Sequence, residues 1–366
     1  MAVNQFIRKC ITRIPPYIPG KPIEEVEREL GIMGAIKMAS NENPLGPSNE
    51  VRQAIIQASE KVALYPDADT FNLRETIARD LDINPDQILV GNGSDDVNKI
   101  LGETILNPGD EVVIPHPTFS QYEYITLLMD AKPVLVEGKE LGNDLAAMAA
   151  AVTDKTKMIF VCNPNNPTGT IVKNEELKQF VKSIPKHIVI IIDEAYHDYV
   201  TDSDFLDGIS FIKDGHKNVV VYRTFSKIHG MAGLRLGYAV ANTDLVAQMM
   251  KVKEPFNVNL IAQAAGIAAL NSKKHVLLSR ELVRVGKADF YQFLDGLGIG
   301  YIPTQANFIL INCGRDSREI YEYLLNNGII VRATHSFGLP NYIRITFGTA
   351  EQNERFFKFF KLAIVK

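Results

Sequence analysis

The chain is poor in cysteine, close to balanced in charge and without any long apolar run, and each shortage removes a class of function. Cys10, Cys162 and Cys313 are the only cysteines in 366 residues. Their odd number, with no CxxC pair and no metal-ligand spacing, excludes a disulfide framework and predicts reduced thiols, a cytoplasmic setting and no bound metal. A net charge of −4 supplies no field for nucleic acid or an anionic membrane surface. No window approaches the ~18 apolar residues that a membrane span needs. The first residues mix Arg8, Lys9 and Arg13 with short apolar stretches, which is not the continuous apolar core of a secretory signal. GxGxxG and GxxxxGK[ST] are both absent, so a nicotinamide site and a P-loop lack their phosphate cradles. Small-molecule substrates remain the expected partners.

What is present is an ordinary globular composition, 46% hydrophobic and 22% charged, in a chain long enough for two domains. Short β-branched runs at residues 87–90, 111–114, 133–136, 158–162, 188–192, 219–222 and 237–240 alternate with segments long enough for helices, such as 95–105, 119–129, 145–151 and 174–183. That is the pattern of a sheet buried on both faces. The fold expected is α/β: a large domain with a mostly parallel seven-stranded sheet covered by helices, plus a smaller α+β domain. From about Thr243 long helical stretches at 244–253, 260–271 and 274–297 precede strand-like runs at 308–311, 329–332 and 342–346. The division predicted is an N-terminal arm with part of the small domain over 1–45, the large domain over 46–245 and the small domain over 246–366. The proline-rich opening around Pro15, Pro16, Pro19 and Pro22 suits an arm lying over another surface.

In an open α/β sheet, ligands sit beyond the carboxyl ends of the strands, and the polar motifs of this chain fall there in succession. Gly91-Asn92-Gly93-Ser94-Asp95-Asp96 opens a helix, where exposed N–H groups suit an anion. Asn163-Pro164-Asn165-Asn166-Pro167-Thr168-Gly169 leaves the Asn166 amide able to point into a cleft. Asp193, at the end of an Ile-rich run, is costly to bury unless a cation meets it. A pyridinium N–H would do so, and Tyr196 could donate to the hydroxyl of the same ring. The rival reading of Asp193-Glu194 as a nucleotide-metal site needs the P-loop that is missing.

Lys227 draws these together. It stands in a small-residue turn after a strand, with Ser226 before it and Arg235 eight positions on, the layout of a Schiff-base lysine for pyridoxal 5'-phosphate. Thr224, Ser226 and Arg235 would hold the cofactor phosphate, the arginine supplying charge and the hydroxyls direction.

Asn166-Pro167-Thr168-Gly169, Asp193-Glu194-Ala195-Tyr196 and Ser226-Lys227 with Arg235 stand in the order and spacing found in aminotransferases of the aspartate-aminotransferase fold. Further elements, Pro16-Tyr17-Ile18-Pro19-Gly20, Ser40-Asn41-Glu42-Asn43-Pro44, Tyr65-Pro66-Asp67, Phe256-Asn257-Val258-Asn259 and Ala306-Asn307-Phe308, resemble the histidinol-phosphate aminotransferase family of class II pyridoxal-phosphate enzymes. The resemblance runs over residues 17–348. It implies Lys227 as the Schiff-base residue, Asp193 as partner of the ring nitrogen, Tyr196 and Asn166 as contacts to the ring hydroxyl and Phe119 as the stacking ring. It further implies Ser94 and Asp95 as phosphate ligands beside Thr224, Ser226 and Arg235, with Tyr65 reaching that phosphate from the other subunit of a homodimer. Arg344, helped by Arg332, would grip the substrate phosphate and then the carboxylates of the second substrate, with Tyr17 and Asn43 closing over it.

The implied reaction is transamination of histidinol phosphate with 2-oxoglutarate, a step of histidine biosynthesis. Three alternatives share its cofactor motifs: an aromatic amino-acid aminotransferase, a phosphothreonine decarboxylase of the same fold, and a non-enzymatic cofactor-binding protein. Phe119 and His229 stand where the family more often carries tyrosine and another aromatic. His229 is expected to be a satisfied structural histidine.

Overall fold

The computed structural model describes residues 6–16 and 20–365. After a two-residue strand β1 (Ile36–Lys37), seven strands make the main sheet: β2 (Ile88–Gly91), β3 (Glu111–His116), β4 (Lys132–Glu137), β5 (Thr156–Cys162), β6 (Val189–Asp193), β7 (Val219–Thr224) and β8 (Gly237–Val240). Their order is β2-β8-β7-β6-β5-β3-β4. β8 alone runs against the other six, antiparallel to both β2 and β7. A parallel return needs a crossover element of a dozen or more residues. Between β7 and β8 the only helix is the 3₁₀ turn Ala232–Leu234, so the chain doubles back. Lys227 lies in that return.

Both faces of the sheet are buried, and the pleat sorts side chains between them. Ile190, Ile192, Val219 and Val221 join a core with Ile77, Leu177 and Phe180. Their alternates Ile191, Val220 and Tyr222 join a second core with Val97, Leu101, Tyr122 and Ile125. Each such fully buried aliphatic side chain contributes roughly 1.5–3 kcal/mol over an exposed one, which is why the register is specified and the strand ends stay in line.

Helix Leu260–Asn271 packs on helices Asn49–Ser59 and Phe71–Leu81, and its Ala262, Ala265, Ala269 and Leu270 sit in the core of the main sheet. Helix Thr243–Val252 likewise delivers Val246 and Met249 to the opposite face. Both therefore pack with the large sheet, although Thr243–Val252 runs across residue 245 and Leu260–Asn271 lies wholly beyond it. A third core gathers Phe290, Leu294, Phe308, Ile345, Phe356 and Phe360 around a second, antiparallel sheet. That sheet is ordered β12 (Arg332–Ala333), β13 (Tyr342–Thr346), β10 (Phe308–Asn312), β9 (Tyr301–Ile302), and long helices Lys273–Leu297 and Ala350–Val365 accompany it. β1 pairs in parallel with β11 (Ile329–Ile330), which ties the segment before Asn41 to this second unit. Near the start, the turn Lys9–Arg13 is tied to the end of helix Gln121–Leu128: Arg8 Nη2 donates to Leu128 O (2.9 Å), and Arg13 pairs with Asp130. Among the described residues no helix is long and apolar enough to cross a membrane.

Candidate active site

The carboxyl ends of β2, β5, β6 and β7 face a cavity of about 580 Å³, closed on its other side by β12, β13 and residues 39–42. At one end helix Ser94–Ile105 begins without a side-chain cap, because its N-cap is Gly93. A Cβ on Gly93 would stand 2.8 Å from Arg235 Nη2, and one on Gly237 would stand 2.6 Å from Ser94 N. Only glycine permits the arginine, the helix start and β8 to approach this closely. Uncapped N–H groups, an arginine and the hydroxyls of Thr224 and Ser226 line one end of the cavity, a set that fits a phosphate. Arg235 holds a left-handed φ of 54°, a conformation costing an L-residue about 1–2 kcal/mol and found where ligands are clamped. Its Nη1 donates to Ala232 O at 3.1 Å, and its Nη2 lies 3.5 Å from Asp95 Oδ2. Burial pushes the Asp95 carboxyl up, and the Arg235 charge opposes that.

Asp193 ends β6 with only 5% exposure. Burial raises its pKa to about 6, against the hydrogen bond from Tyr122, whose hydroxyl donates to Oδ2 at 2.6 Å, and that from Ala195 N to Oδ1 at 3.0 Å. The Tyr122 ring stacks on Phe160 at 4.3 Å, so the phenol has little freedom to turn away. A buried carboxylate lining the cavity fits a cationic ring nitrogen, which would lower its desolvation cost. Lys227 Nζ donates to Ser40 O at 3.3 Å and lies 5.6 Å from the centre of the Tyr196 ring. Burial, then the Arg344 charge, depress its pKa to about 8. That leaves an appreciable neutral fraction near neutrality, as an amine nucleophile and proton carrier requires. The Tyr196 hydroxyl accepts from Asn41 Nδ2 at 2.9 Å.

At the other end Arg344 and Arg332 are register partners on β13 and β12. Arg344 Nη1 donates to Asn166 Oδ1 and its Nη2 to Ala39 O at 2.6 Å, with the guanidinium 5.2 Å from the Phe308 ring. Arg332 lies over Phe337 at 5.8 Å.

The cavity thus brings together Ser94, Asp95, Phe119, Asn166, Asp193, Tyr196, Thr224, Ser226, Lys227, Arg235, Arg332 and Arg344. It does not bring in Asn43, whose Nδ2 donates to Ile228 O and Ser279 Oγ, both at 2.8 Å. Asn43 steadies the Lys227 turn from outside. Tyr65 is 82% exposed and stacks on Phe256 at 4.7 Å, away from the cavity of its own chain. Tyr17 lies outside the described residues. Glu194 is buried and accepts from Arg223 Nη2 at 2.8 Å and Gly208 N at 2.5 Å, away from the cavity, so Asp193-Glu194 is no metal pair. His229 is not the satisfied histidine expected. Burial pushes its pKa down to about 4, and Nδ1 has no partner among the described residues.

Sequence reasoning missed Tyr122, Asn41, Lys37 and Glu42. Tyr122 stands three residues after Phe119, at the start of helix Gln121–Leu128, and the two rings meet edge to face with centroids 5.7 Å apart. Asn41 has a left-handed φ of 57°, which asparagine tolerates better than most residues, and this could have marked it as a specially held position.

Residues 34–360 match the family described as aminotransferase class I and II. A histidinol-phosphate aminotransferase of Moorella thermoacetica is 48% identical over 351 residues, covering 96% of this chain and 91% of the relative. One from Caldicellulosiruptor saccharolyticus is 42% identical, covering 97% and 99%. Among solved structures, the histidinol-phosphate aminotransferase of Sinorhizobium meliloti in complex with pyridoxal-5'-phosphate superposes with a TM-score of 0.91 at 26% identity, covering 98% of this chain and 97% of that one.

Proposed function

The chain belongs to the class I and II aminotransferases, and from that premise we propose that it transfers the amino group of histidinol phosphate to 2-oxoglutarate with pyridoxal 5'-phosphate as cofactor. The observation that carries the reading is one cavity holding a buried amine of depressed pKa, Lys227, a buried carboxylate, Asp193, and the arginine pair Arg344 and Arg332. Relatives named for this reaction, alike over nearly their whole length, supply the substrate.

Bound there, the cofactor supplies an aldehyde that takes up the amine and a ring that draws electrons from the substrate carbon. The chain's residues do the rest. Lys227 Nζ carries the proton off the substrate carbon and returns one in the second half-reaction. Asp193 holds the ring nitrogen protonated, and Tyr196 with Asn166 orients the ring oxygen. Phe119 covers one ring face. Arg235, Thr224, Ser226 and the N–H groups at Ser94 and Asp95 hold the cofactor phosphate. Arg344 and Arg332 hold the substrate phosphate, then a carboxylate of the dicarboxylate substrate, with Tyr17 covering the site.

The exposure of Tyr65 supports a homodimer in which its hydroxyl completes the phosphate site of the partner. Three buried, unpaired thiols suit a cytoplasmic enzyme. The packing of helix Leu260–Asn271 supports a large unit reaching to about Leu270, with β1 assigned to the small one.

The test offers the purified protein histidinol phosphate, phenylalanine and phosphothreonine separately, each with 2-oxoglutarate. Glutamate formed fastest from histidinol phosphate is the expected result. Faster turnover of phenylalanine, or carbon dioxide from phosphothreonine, would overturn it.

A further inference from the structure

Of the carboxylates lining the cavity, Asp193 is bonded to Tyr122 and Asp95 stands beside Arg235. Glu42 is the third, and it is placed at the opposite end, among cations. Its Oε1 accepts from Lys37 Nζ at 2.8 Å, and among the described residues these two head groups bond only to each other. Lys37 belongs to β1, where it is the register partner of Ile330, two residues before Arg332. Arg332 in turn pairs with Arg344. Glu42 follows directly on Ser40 and Asn41, which contact Lys227 and Tyr196. The segment from Lys37 to Glu42 is therefore a wall of the site, with Lys37 and Glu42 both on the cavity. The Glu42 charge is also near enough to raise the affinity of Lys227 for its proton.

The proposed reaction sets a problem at this wall. The reacting carbon of histidinol phosphate carries a phosphate arm and an imidazole arm; that of glutamate carries a carboxylate and an arm ending in a second carboxylate. Once the arginine pair holds the phosphate or the first carboxylate, the remaining arm presents an N–H donor in one half-reaction and an anion in the other. A single fixed charge would favour one and repel the other. An ion pair serves both if its members can part. Here the side chains are 22% and 40% exposed, a setting in which such pairs are weak and exchange readily.

We propose that Lys37 and Glu42 form a dual-substrate sorting pair, Glu42 accepting from the imidazole N–H of histidinol phosphate and Lys37 taking the distal carboxylate of glutamate or 2-oxoglutarate. The inference rests on the reaction proposed above and adds the residues that let one cavity serve its two substrates.

The holoenzyme, Glu42→Gln and Lys37→Met are reacted with histidinol phosphate alone and with glutamate alone, each half-reaction being followed by the cofactor absorbance. The quantity read is the ratio of kcat/KM for histidinol phosphate to that for glutamate. Glu42→Gln lowers it about tenfold and Lys37→Met raises it about tenfold, the effect of losing one charge-assisted hydrogen bond. Opposite shifts of about threefold or more support the pair, since a purely structural role would move both substrates together. Smaller shifts, or shifts in one direction, overturn it. A wild-type enzyme that accepts glutamate and ignores histidinol phosphate fails earlier, at the reaction itself, and takes this inference with it.

Discussion

The two ends of the cavity are built on different principles. At the cofactor end, Asp193 and Thr224 close β6 and β7, and Ser94, Asn166 and Lys227 follow β2, β5 and β7, strands of one sheet buried on both faces. Each is positioned by the strand it ends or follows, so each leaves a local motif in the chain. At the substrate end Arg332, Arg344, Lys37 and Glu42 come from short strands and a connecting segment about 300 residues apart in sequence, and no motif holds them together. On the function proposed above, a rigid edge would hold the part of the chemistry common to the fold, and a composite wall the part that chooses the substrate.

The sharpest break of this comparison lies at Lys227. Replacing it with alanine is expected to lower transamination by about a thousandfold or more, from loss of the proton carrier, and to abolish the absorbance of lysine-bound cofactor. Substantial retention of either would refute the assignment. The cofactor-free protein gives a second reading. The Lys227 pKa falls from 10.5 in the unfolded chain to about 8 in the fold, so folding disfavours the charged amine. The cost is absent above pH about 10.5, grows as pH falls towards 8 and is constant below. Lys227→Met should therefore melt at a higher temperature than wild type at pH 7, with the gap closing as pH rises through that window. A variant that melts lower at pH 7 would mean that the lysine stem and its bond to Ser40 outweigh the buried charge.

The same contrast explains what could be read from the chain beforehand. Runs such as 188–192 announced the sheet because strands buried on both faces are continuously apolar, and the motifs after them marked the cofactor end. The direction of β8 was not legible, since it depends on whether residues 225–236 form a crossover helix. Helix Leu260–Asn271 is apolar nearly all round, and such a helix carries no stripe to say which core it joins; packing against two helices and the main sheet decided it. Asn43 was assigned by motif alone, yet its amide is spent on Ile228 O and Ser279. Lys37 and Glu42 carry no local signal of a role, and only the pairing of β1 with β11 brings Lys37 to the cavity wall.

Arg344 tests whether the two ends are separable. Arg344→Lys keeps a positive charge and loses the planar fork, and kcat/KM for both substrates should fall about 10- to 100-fold. Cofactor affinity should change far less, although Asn166 loses the bond it receives from Arg344. Loss of cofactor on the same scale, in an equilibrium titration of the variant, would mean that the Arg344–Asn166 contact makes one site of the two ends.

The smallest expected effect is the most informative about the cofactor end. Tyr122→Phe removes only the hydroxyl bonded to Asp193, leaving the ring stacked on Phe160. That bond favours the carboxylate, holding the Asp193 pKa down against burial at about 6. Without it the pKa rises towards neutrality, because desolvation remains and its main opponent is gone. A carboxyl that is protonated cannot hold the ring nitrogen as a cation. Cofactor affinity of the wild-type apoprotein should therefore weaken as pH falls through about 6, and that midpoint should move upward in Tyr122→Phe. At pH 7 the variant should bind about threefold to tenfold more weakly, as expected for one hydrogen bond to a charged group partly offset by relaxation, and recover towards wild type above pH 8. A loss equal at every pH would assign Tyr122 to packing alone. A midpoint that moves assigns it to the charge of Asp193, and places a residue of the helix after Phe119 among those that set the electronics of the site.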